Sequence, residues 1–336
     1  MKKEEVEQLI DTERLRDQRG KAGLVETHIS WVILTDQYAY KIKKPVRFSF
    51  LDFSTLKKRK FYCEREVTLN SRLTDQMYLD VIPVFKKEDN FSLNTGNGKV
   101  ADYAVLMKRM DSVLEMDKLL LAHKVNEQSI GKLAAKIARF HKHATVITSK
   151  TGINTLKKRF NDLQMVMPVV RKHLGNDFAV IIQDSIRTSD DFLDKFQSYI
   201  TVRAIKGYIR DGHGDLHSGN IFLYPDPVVF DCIEFNDEMR QIDILDEIAF
   251  LCMDLDAYQQ IDLSDQFYNN YLECAKIKET EKLKILFHYY KCYRANIRAK
   301  VHLLNAMEAN DQTIFEKEIK RASGYLSLLK KYLDKF

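Results

Sequence analysis

The segment His213-Gly-Asp-Leu-His-Ser-Gly-Asn220 runs directly into Ile221-Phe-Leu-Tyr224, the turn Pro225-Asp-Pro227 and Val228-Val-Phe-Asp231. Two short apolar runs around a turn held between prolines predict a β-hairpin. Folding residues 221–224 back on 228–230 brings Asn220 beside Asp231, to within about one residue of register. The hairpin thereby joins two oxygen-bearing side chains that lie eleven residues apart in the chain. Gly214 and Gly219 let the preceding loop take tight or positive-φ turns.

Phosphoryl transfer needs a carboxylate to orient the attacking hydroxyl and accept its proton, and oxygen ligands for the magnesium that neutralises phosphate charge. Asp215 suits the first post, with His213 grouped beside it as a catalytic candidate; Asn220 and Asp231 suit the second. Asn220 follows Asp215 by five residues, the spacing between catalytic Asp and metal-binding Asn in the kinase catalytic loop. A zinc reading competes, because His213-x-Asp215-x-His217 would place three ligand types on one face of a strand. It leaves the glycine before Asp215 and the hairpin ending in Asp231 without a purpose.

At 336 residues the chain is long enough for a large core and two lobes. Its longer apolar runs, such as Ile248-Ala-Phe-Leu-Cys-Met253, are too short to cross a bilayer, and Met1-Lys-Lys-Glu-Glu5 lacks the apolar segment of a secretory signal. The five cysteines form no C-x-x-C pair, which points to a reducing cytoplasm and away from a disulfide framework. Charge is unevenly spread. From Asp231 to Asp265 eleven acids face one base, Arg240, leaving that stretch at −10 and the remainder at +15 of the net +5. Such a stretch suits magnesium and a cationic substrate, or simply a solvated helix face, while the basic remainder suits nucleotide phosphates.

Residues 1 to about 20 read as a charged surface helix. Short β-type runs follow at Leu24–His28, Ile29–Leu34 and Tyr38–Ile42. Ala39-Tyr-Lys41 has the A-x-K form of the kinase strand whose lysine contacts nucleotide phosphates, with Lys43 on the same face as the second choice. Ser54 can cap a helix over 54–73 in which Glu66 shares a stripe with Tyr62, Leu69 and Leu73. A carboxylate facing inward needs a partner, and Lys41 would supply one. Val81–Phe85 and Lys99–Met107 add two strands around a polar loop, Glu88–Gly98, for about five strands in all. Met107-Lys-Arg-Met-Asp111 then forms the edge where an adenine ring would lie. Gly96-Asn-Gly-Lys99 fails as a phosphate loop, since Leu93 and Val100 stand where glycine and Ser or Thr are required.

The second half reads as helical: a helix capped by Asn126 that buries Ile130, Leu133, Ile137 and His141, then patterns at about 155–173, 189–209, 240–256, 260–276, 280–307 and 312–333. Mixed aromatic and basic residues from Phe287 to Arg298 suggest core and flank more than a nucleic-acid surface.

Taken together, Ala39-Tyr-Lys41, Glu66, His213-Gly-Asp215 through Asn220 and Phe230-Asp231-Cys-Ile-Glu234 resemble the aminoglycoside phosphotransferase-like branch of the protein-kinase-like fold. The likeness covers about residues 22–260. Thr27-His-Ile-Ser-Trp31, Tyr40-Lys-Ile-Lys-Lys-Pro45 and Asp231-Cys-Ile-Glu-Phe-Asn236 look more narrowly like the kinase-like half of bacterial proteins that also carry a P-loop domain. No P-loop follows, so the chain reads as that half alone, with a separate P-loop protein as a partner to consider.

The resemblance implies an α+β, two-lobed fold: an N-lobe over 1–107, and a helical C-lobe over 108–336 carrying the catalytic loop 213–220 and metal-binding hairpin 221–231. It implies ATP or GTP in the cleft, Asp215 as base, and Asn220 and Asp231 on magnesium. Lys41, Glu66 and Met107 would serve the nucleotide. Asp243 and Glu247 would brace the loop, holding His213 or Arg240. No G-x-G-x-x-G loop is present; Thr27, His28 and Ser30 stand in its place. The expected activity is transfer of a γ-phosphate to a small-molecule hydroxyl. The competing expectations are a non-catalytic nucleotide-binding module and a protein kinase, the latter disfavoured by Gly214 where H-R-D carries arginine.

Overall fold

The computed structural model describes residues 1–12, 15, 22–48, 50–93, 98–148 and 152–336. In chain order they form α1 (Lys3–Thr12), β1 (Gly23–Glu26), β2 (Ser30–Leu34), β3 (Tyr38–Lys43), α2 (Leu56–Asn70), β4 (Tyr78–Lys87), β5 (Asn90–Leu93) and β6 (Lys99–Lys108). There follow α3 (Met116–Leu121), α4 (Glu127–His143), α5 (Ile153–Asn161), α6 (Met167–His173), α7 (Asn176–Ile205), β7 (Ile209–Asp211), β8 (Ile221–Phe222) and β9 (Val228–Val229). The chain ends through α8 (Asp237–Arg240), β10 (Gln241–Asp243), α9 (Ile244–Ala257), α10 (Ile261–Ala275), α11 (Glu281–Glu308) and α12 (Gln312–Leu333). Contacts divide these into two units, Met1–Lys118 with Asn220–Arg240, and Leu119–Gly219 with Gln241–Phe336. Asp215 therefore belongs to the second unit, Asn220 and Asp231 to the first.

The first unit is built on a six-stranded antiparallel sheet of order β1-β2-β3-β6-β4-β5. Strand alternation sorts its residues between two faces. Tyr40 and Ile42 of β3 join Ile82, Val84, Ala104 and Leu106 on one face; Ala39, Val105 and Met107 join Cys63 of α2 on the other. Three expectations are corrected here. The expected surface helix buries Val6 and Leu9 completely against the first face, because its sparse apolar residues share one stripe. Residues 13, 14 and 16–20 of that segment lie outside the described residues. The loop expected over 88–98 contains β5, since Phe91 and Leu93 alternate with polar residues and both are buried against β4. Residues 94–97, and with them Gly96 and Asn97 of the rejected phosphate-loop match, lie outside the described residues. Thr55, and not Ser54, caps α2, accepting the Lys58 N–H at 3.3 Å, while Ser54 donates to Asp52 at 2.6 Å.

The second unit is helical, with the short β7–β10 pair. Asn126 caps α4 at 2.9 Å from the Ser129 N–H, and Ile130, Leu133, Ile137 and His141 are buried. One long helix expected over 155–173 is instead α5 and α6, because Pro168 opens the second helix and has no place in the interior of the first. The aromatic and basic stretch on α11 is interior: Tyr289 stacks on Phe192 at 4.4 Å, and Phe287, Tyr290, Lys291 and Arg294 are buried. It offers no nucleic-acid surface at those positions. No helix among the described residues is long and apolar enough to cross a membrane.

Candidate active site

Lys41 and Lys43 lie two residues apart on β3 and so share the face that carries Ala39. α2 presents Glu66, fully buried, to both. Lys41 Nζ donates to Glu66 Oε1 at 2.8 Å and to Asp231 Oδ1 at 2.6 Å. Lys43 Nζ donates to Glu66 Oε2 at 2.6 Å and to Glu234 Oε1. Burial alone would discharge these lysines. Around Lys41 the charges of Asp231 and Glu66 outweigh it and hold the ammonium well above its ordinary range, and Glu234 with Glu66 does the same for Lys43. Burial likewise opposes the charge on Glu66, yet the two lysines bring its carboxyl down to about 2. Glu234 goes the other way, pushed up by burial that Lys43 only partly offsets. Glu234 was missed as a site residue; its signal was an acid set between Ile233 and Phe235 in an apolar run.

β8 pairs with β9 through Ile221↔Val229 and Phe222↔Val228, and Phe230 donates its N–H to Asn220 O at 3.0 Å. Asn220 thus faces Phe230, one residue short of Asp231. Asp231 adopts φ 61°, a left-handed conformation that few non-glycine residues tolerate. Its N–H donates to the Tyr78 hydroxyl at 3.2 Å, and the next N–H, of Cys232, donates to Asn70 Oδ1 at 2.9 Å. Asn70 Nδ2 in turn donates to Glu66 O at 2.8 Å, so α2 and the Asp231 turn are tied together. The Asp231 carboxylate is 43% exposed and spends only Oδ1 on Lys41. A partly exposed carboxylate is the kind of oxygen ligand that magnesium takes when substrate phosphates supply the rest, and Asn220, opposite Phe230 at the foot of the hairpin, carries an amide oxygen.

Met107 is buried beside Ala39, Val105 and Phe222, with Val32, Leu34, Leu114 and Phe230 packed against them. Phe222 and Phe230 stack at 4.9 Å. The chain after Met107 is pinned by Lys108 N–H to Met77 O at 2.7 Å, Arg109 N–H to Gln37 O at 2.7 Å and Asp111 N–H to the Tyr224 hydroxyl at 2.9 Å. Between β1 and β2 the chain reverses in a tight turn: Thr27 N–H donates to Ser30 O at 2.9 Å and Ser30 N–H to Thr27 Oγ1 at 2.9 Å. Thr27 closes the turn, His28 is exposed at its tip, and the Ser30 hydroxyl is buried without a partner among the described residues.

In the second unit, Glu247 of α9 organises the loop that begins at His213. Its carboxylate accepts the N–H groups of His213 (2.8 Å) and Gly214 (3.1 Å) and pairs with His141 Nε2 at 2.8 Å. Burial opposes the charge, but His141 and the His213 amide bring Glu247 down to about 2. Gly212 is required by this packing, since a Cβ there would lie 2.1 Å from Glu247 Oε2. Gly214 takes φ +86°, Arg294 donates to its carbonyl at 3.3 Å, and Asp215 N–H donates to His213 Nδ1 at 3.2 Å. His217 reaches both neighbours with one tautomer: Nε2 lies 3.4 Å from Asp215 Oδ2, while Nδ1 accepts the Gly219 N–H at 3.1 Å. Burial opposes ionisation of Asp215, but His217, then Arg298 and His213, outweigh it and hold the carboxyl well below the usual carboxylate range.

The loop is not a strand, and His213 turns its ring nitrogen to the backbone of Asp215, so the zinc triad does not converge. Among the described residues no three His, Cys, Asp or Glu side chains are grouped to hold a metal. Asp243 holds neither His213 nor Arg240; it binds Arg203 through bonds of 2.6 and 2.7 Å and caps α9. Arg240 instead donates to Ile233 O at 2.7 Å and Asp237 at 2.6 Å. Of the eleven acids from Asp231 to Asp265, six (Glu234, Asp243, Asp246, Glu247, Asp254, Asp256) are buried and partnered, so most of the expected negative surface is spent inside the molecule.

No family model matches the chain. An uncharacterized protein of Mycobacterium tuberculosis, and one of Mycobacterium bovis, are each 33% identical to it over 284 residues, covering 82% of this chain and 53% of theirs. The chain therefore spans about half the length of the curated relatives it matches. Among solved structures, APH(2")-IIia bound to GDP and kanamycin superposes with a TM-score of 0.54 at 12% identity, covering 97% of this chain and 99% of the other. A choline kinase of Cryptosporidium parvum gives a TM-score of 0.54 at 13% identity over 95% and 94% of the two chains. A choline/ethanolamine kinase family protein of Mesorhizobium loti gives 0.52 at 9% identity over 97% of each. The chain shares the α+β, kinase-like fold of these phosphotransferases.

Proposed function

We propose that the chain is a phosphotransferase that moves the γ-phosphate of ATP or GTP to a hydroxyl of a small molecule with magnesium. The observation that carries this reading is Lys41 held by Glu66 at 2.8 Å and Asp231 at 2.6 Å. A charged lysine fixed between a helix glutamate and a partly exposed aspartate is what a nucleotide phosphate site requires. Lys41 contacts the phosphates, Glu66 fixes the lysine, and Met107 with the apolar residues around it packs the base. The Thr27–Ser30 turn covers the phosphates in place of a glycine-rich loop. Asn220 and Asp231 would hold magnesium, which when bound neutralises the charge on the transferred group.

Asp215 orients the acceptor hydroxyl and takes its proton as the oxygen–phosphorus bond forms. The charges of His217, Arg298 and His213 keep it ionised, the state in which it accepts a hydrogen bond from the hydroxyl. His213 acts through the backbone, holding the Asp215 N–H, and Glu247 holds His213. The second reading, a nucleotide-binding module without turnover, is favoured by the tight Thr27–Ser30 turn, which lacks the flexible glycines of a phosphate-covering loop.

Thermal unfolding with ATP or GTP, with and without magnesium, tests the nucleotide site. Ligand at a hundred times its dissociation constant stabilises by roughly 2.7 kcal/mol. The wild type shows a magnesium-dependent shift and Asp231→Ala abolishes it; no shift with either nucleotide defeats the proposal. Asp215→Asn keeps the shift and, in an acceptor screen, lowers turnover by roughly 10²- to 10⁴-fold. An acceptor turned over equally by Asp215→Asn removes Asp215 from its post.

A further inference from the structure

The buried cations of the second unit each have a carboxylate of their own: Arg203 has Asp243, Lys291 has Asp256 and Arg294 has Asp246. Arg298 does not. It lies one helical turn beyond Arg294 on α11, on the side from which Arg294 reaches the Gly214 carbonyl at 3.3 Å. Its guanidinium stands 5.6 Å from the centre of the Tyr325 ring. The Tyr325 hydroxyl donates to Asp254 Oδ1 at 3.3 Å, and Asp254 Oδ2 accepts both the N–H (2.8 Å) and the hydroxyl (2.5 Å) of Ser218 in the catalytic loop. Arg298 is thus packed against the loop that carries Asp215, close enough for its charge to act on Asp215 and Asp254.

The polar contacts of this guanidinium are weak. Nη2 lies 3.4 Å from His302 Nε2, whose ring is already engaged through Nδ1 by Glu318 at 2.7 Å. Tyr325 is its other polar neighbour. Nε has no acceptor among the described residues, although it is sealed from solvent. An arginine is always charged and presents a planar fork matched to carboxylate or phosphate. Leaving such a group half-buried without a directly paired carboxylate is costly, and the fold supplies one to Arg203, Lys291 and Arg294.

From this placement we infer that Arg298 recognises an anionic group on the acceptor, so that the hydroxyl compound delivered to Asp215 carries a carboxylate or a phosphate. The inference rests on the phosphotransferase reading for the words acceptor and hydroxyl; the anion site itself does not. A cationic acceptor would meet a guanidinium that has no ion-paired carboxylate of its own, and three of the acids that would have attracted it, Asp243, Asp256 and Asp246, are occupied by Arg203, Lys291 and Arg294.

The test is thermal unfolding of the full chain with four small probes that differ chiefly in charge: glycerol, choline, glycerate and glycerol 3-phosphate. Each is added with and without magnesium and ADP, to wild type, Arg298→Met and Arg298→Lys. Glycerate or glycerol 3-phosphate raises the wild-type Tm where glycerol and choline do not, and which of the two acts tells carboxylate from phosphate. Arg298→Met binds the active anion at least about tenfold more weakly and keeps the ADP shift, while Arg298→Lys retains part of the anion effect. An anion shift equal to that of glycerol, or one unchanged in Arg298→Met, overturns the inference. So does loss of the ADP shift in Arg298→Met, which moves Arg298 to the nucleotide phosphates. Should the wild type show no ADP shift, the phosphotransferase reading fails, and the arms without nucleotide still decide whether Arg298 takes an anion. Unliganded Tm and far-UV circular dichroism separate lost binding from lost folding, with Arg298→Lys as the conservative second variant.

Discussion

Lys43 and Glu66 meet at 2.6 Å with both side chains wholly buried. Glu66 therefore divides its carboxylate between two lysines, and Lys43 divides its charge between Glu66 and Glu234. Removing Lys43 leaves Glu66 to Lys41, which Asp231 already shares, and takes from Glu234 its ion-pair partner; breaking a buried pair from one side is expensive. Lys43→Met lowers stability by about 3–5 kcal/mol, a large part of a typical domain's total. Adding Glu234→Gln recovers part of that loss. Urea unfolding of the two single variants and the double variant measures the coupling; simple additivity would show that Lys43 and Glu234 do not act as a pair.

Glu247 gives the loop at His213 and Gly214 a particular pH dependence. Its folded pKa, about 2, lies below the ordinary 4.5, so its stabilisation is complete above pH about 4.5 and is lost as pH falls toward 2. Glu247→Gln removes that contribution. The variant is less stable than wild type by roughly 3 kcal/mol at neutral pH, and the gap closes on acidification through the same window. A gap that stays constant down to pH about 2 would mean that the carboxylate charge, set by His141 and the His213 amide, is not what holds the loop.

The parts legible in the sequence were those with local pattern behind them. Glu66 was read as buried because its helix stripe placed it inward, and it does meet Lys41. The hairpin was read from two apolar runs and a turn, and its register is one residue from ideal. What escaped detection has its cause far along the chain. Glu234 and Lys43 are 191 residues apart, Arg203 and Asp243 are 40 apart, and neither pair leaves a periodic trace. Apart from Asp243 and Glu247, which were read as bracing the loop, the acids after Asp231 were read as solvated or as facing magnesium or a cationic substrate, because charge is usually solvated. Their cations, Arg203, Lys291 and Arg294, lie on α7 and α11 and show as partners only once the helices pack. The Thr27–Ser30 turn was located correctly in sequence, but its closure by a threonine hydroxyl depends on backbone geometry alone.

Two glycines separate steric need from chance. Gly212 has the Glu247 carboxylate where a Cβ would go, at 2.1 Å, whereas Gly324 in α12 has nothing within 4 Å. Gly212→Ala forces Glu247 off the His213 and Gly214 amides and costs about 1–3 kcal/mol. Gly324→Ala gains about 0.5–1 kcal/mol from helix propensity. Thermal unfolding of both variants in parallel checks the contrast. Equal effects would show that the approach of Glu247 to Gly212 is not a constraint on the loop.

Asp231 combines a charge requirement with a backbone one, and the two can be separated. At φ 61° an Asn is tolerated, an Ala is strained by about 1 kcal/mol and a β-branched residue by up to about 3 kcal/mol. Stability therefore falls in the order Asp231→Asn, Asp231→Ala, Asp231→Val, with Asn also keeping an oxygen for Lys41. All three lose the carboxylate that would share magnesium with Asn220, so all three lose the magnesium-dependent part of nucleotide stabilisation to a similar degree. Unfolding curves without ligand read the backbone term, and the difference between curves with and without magnesium reads the charge term. If Asp231→Ala proves as stable as Asp231→Asn, the left-handed conformation is relaxed at no cost and the turn is not held by strain. Retention of magnesium dependence in Asp231→Asn would show instead that an amide oxygen suffices at this position, and that the formal charge of Asp231 serves Lys41 rather than the metal.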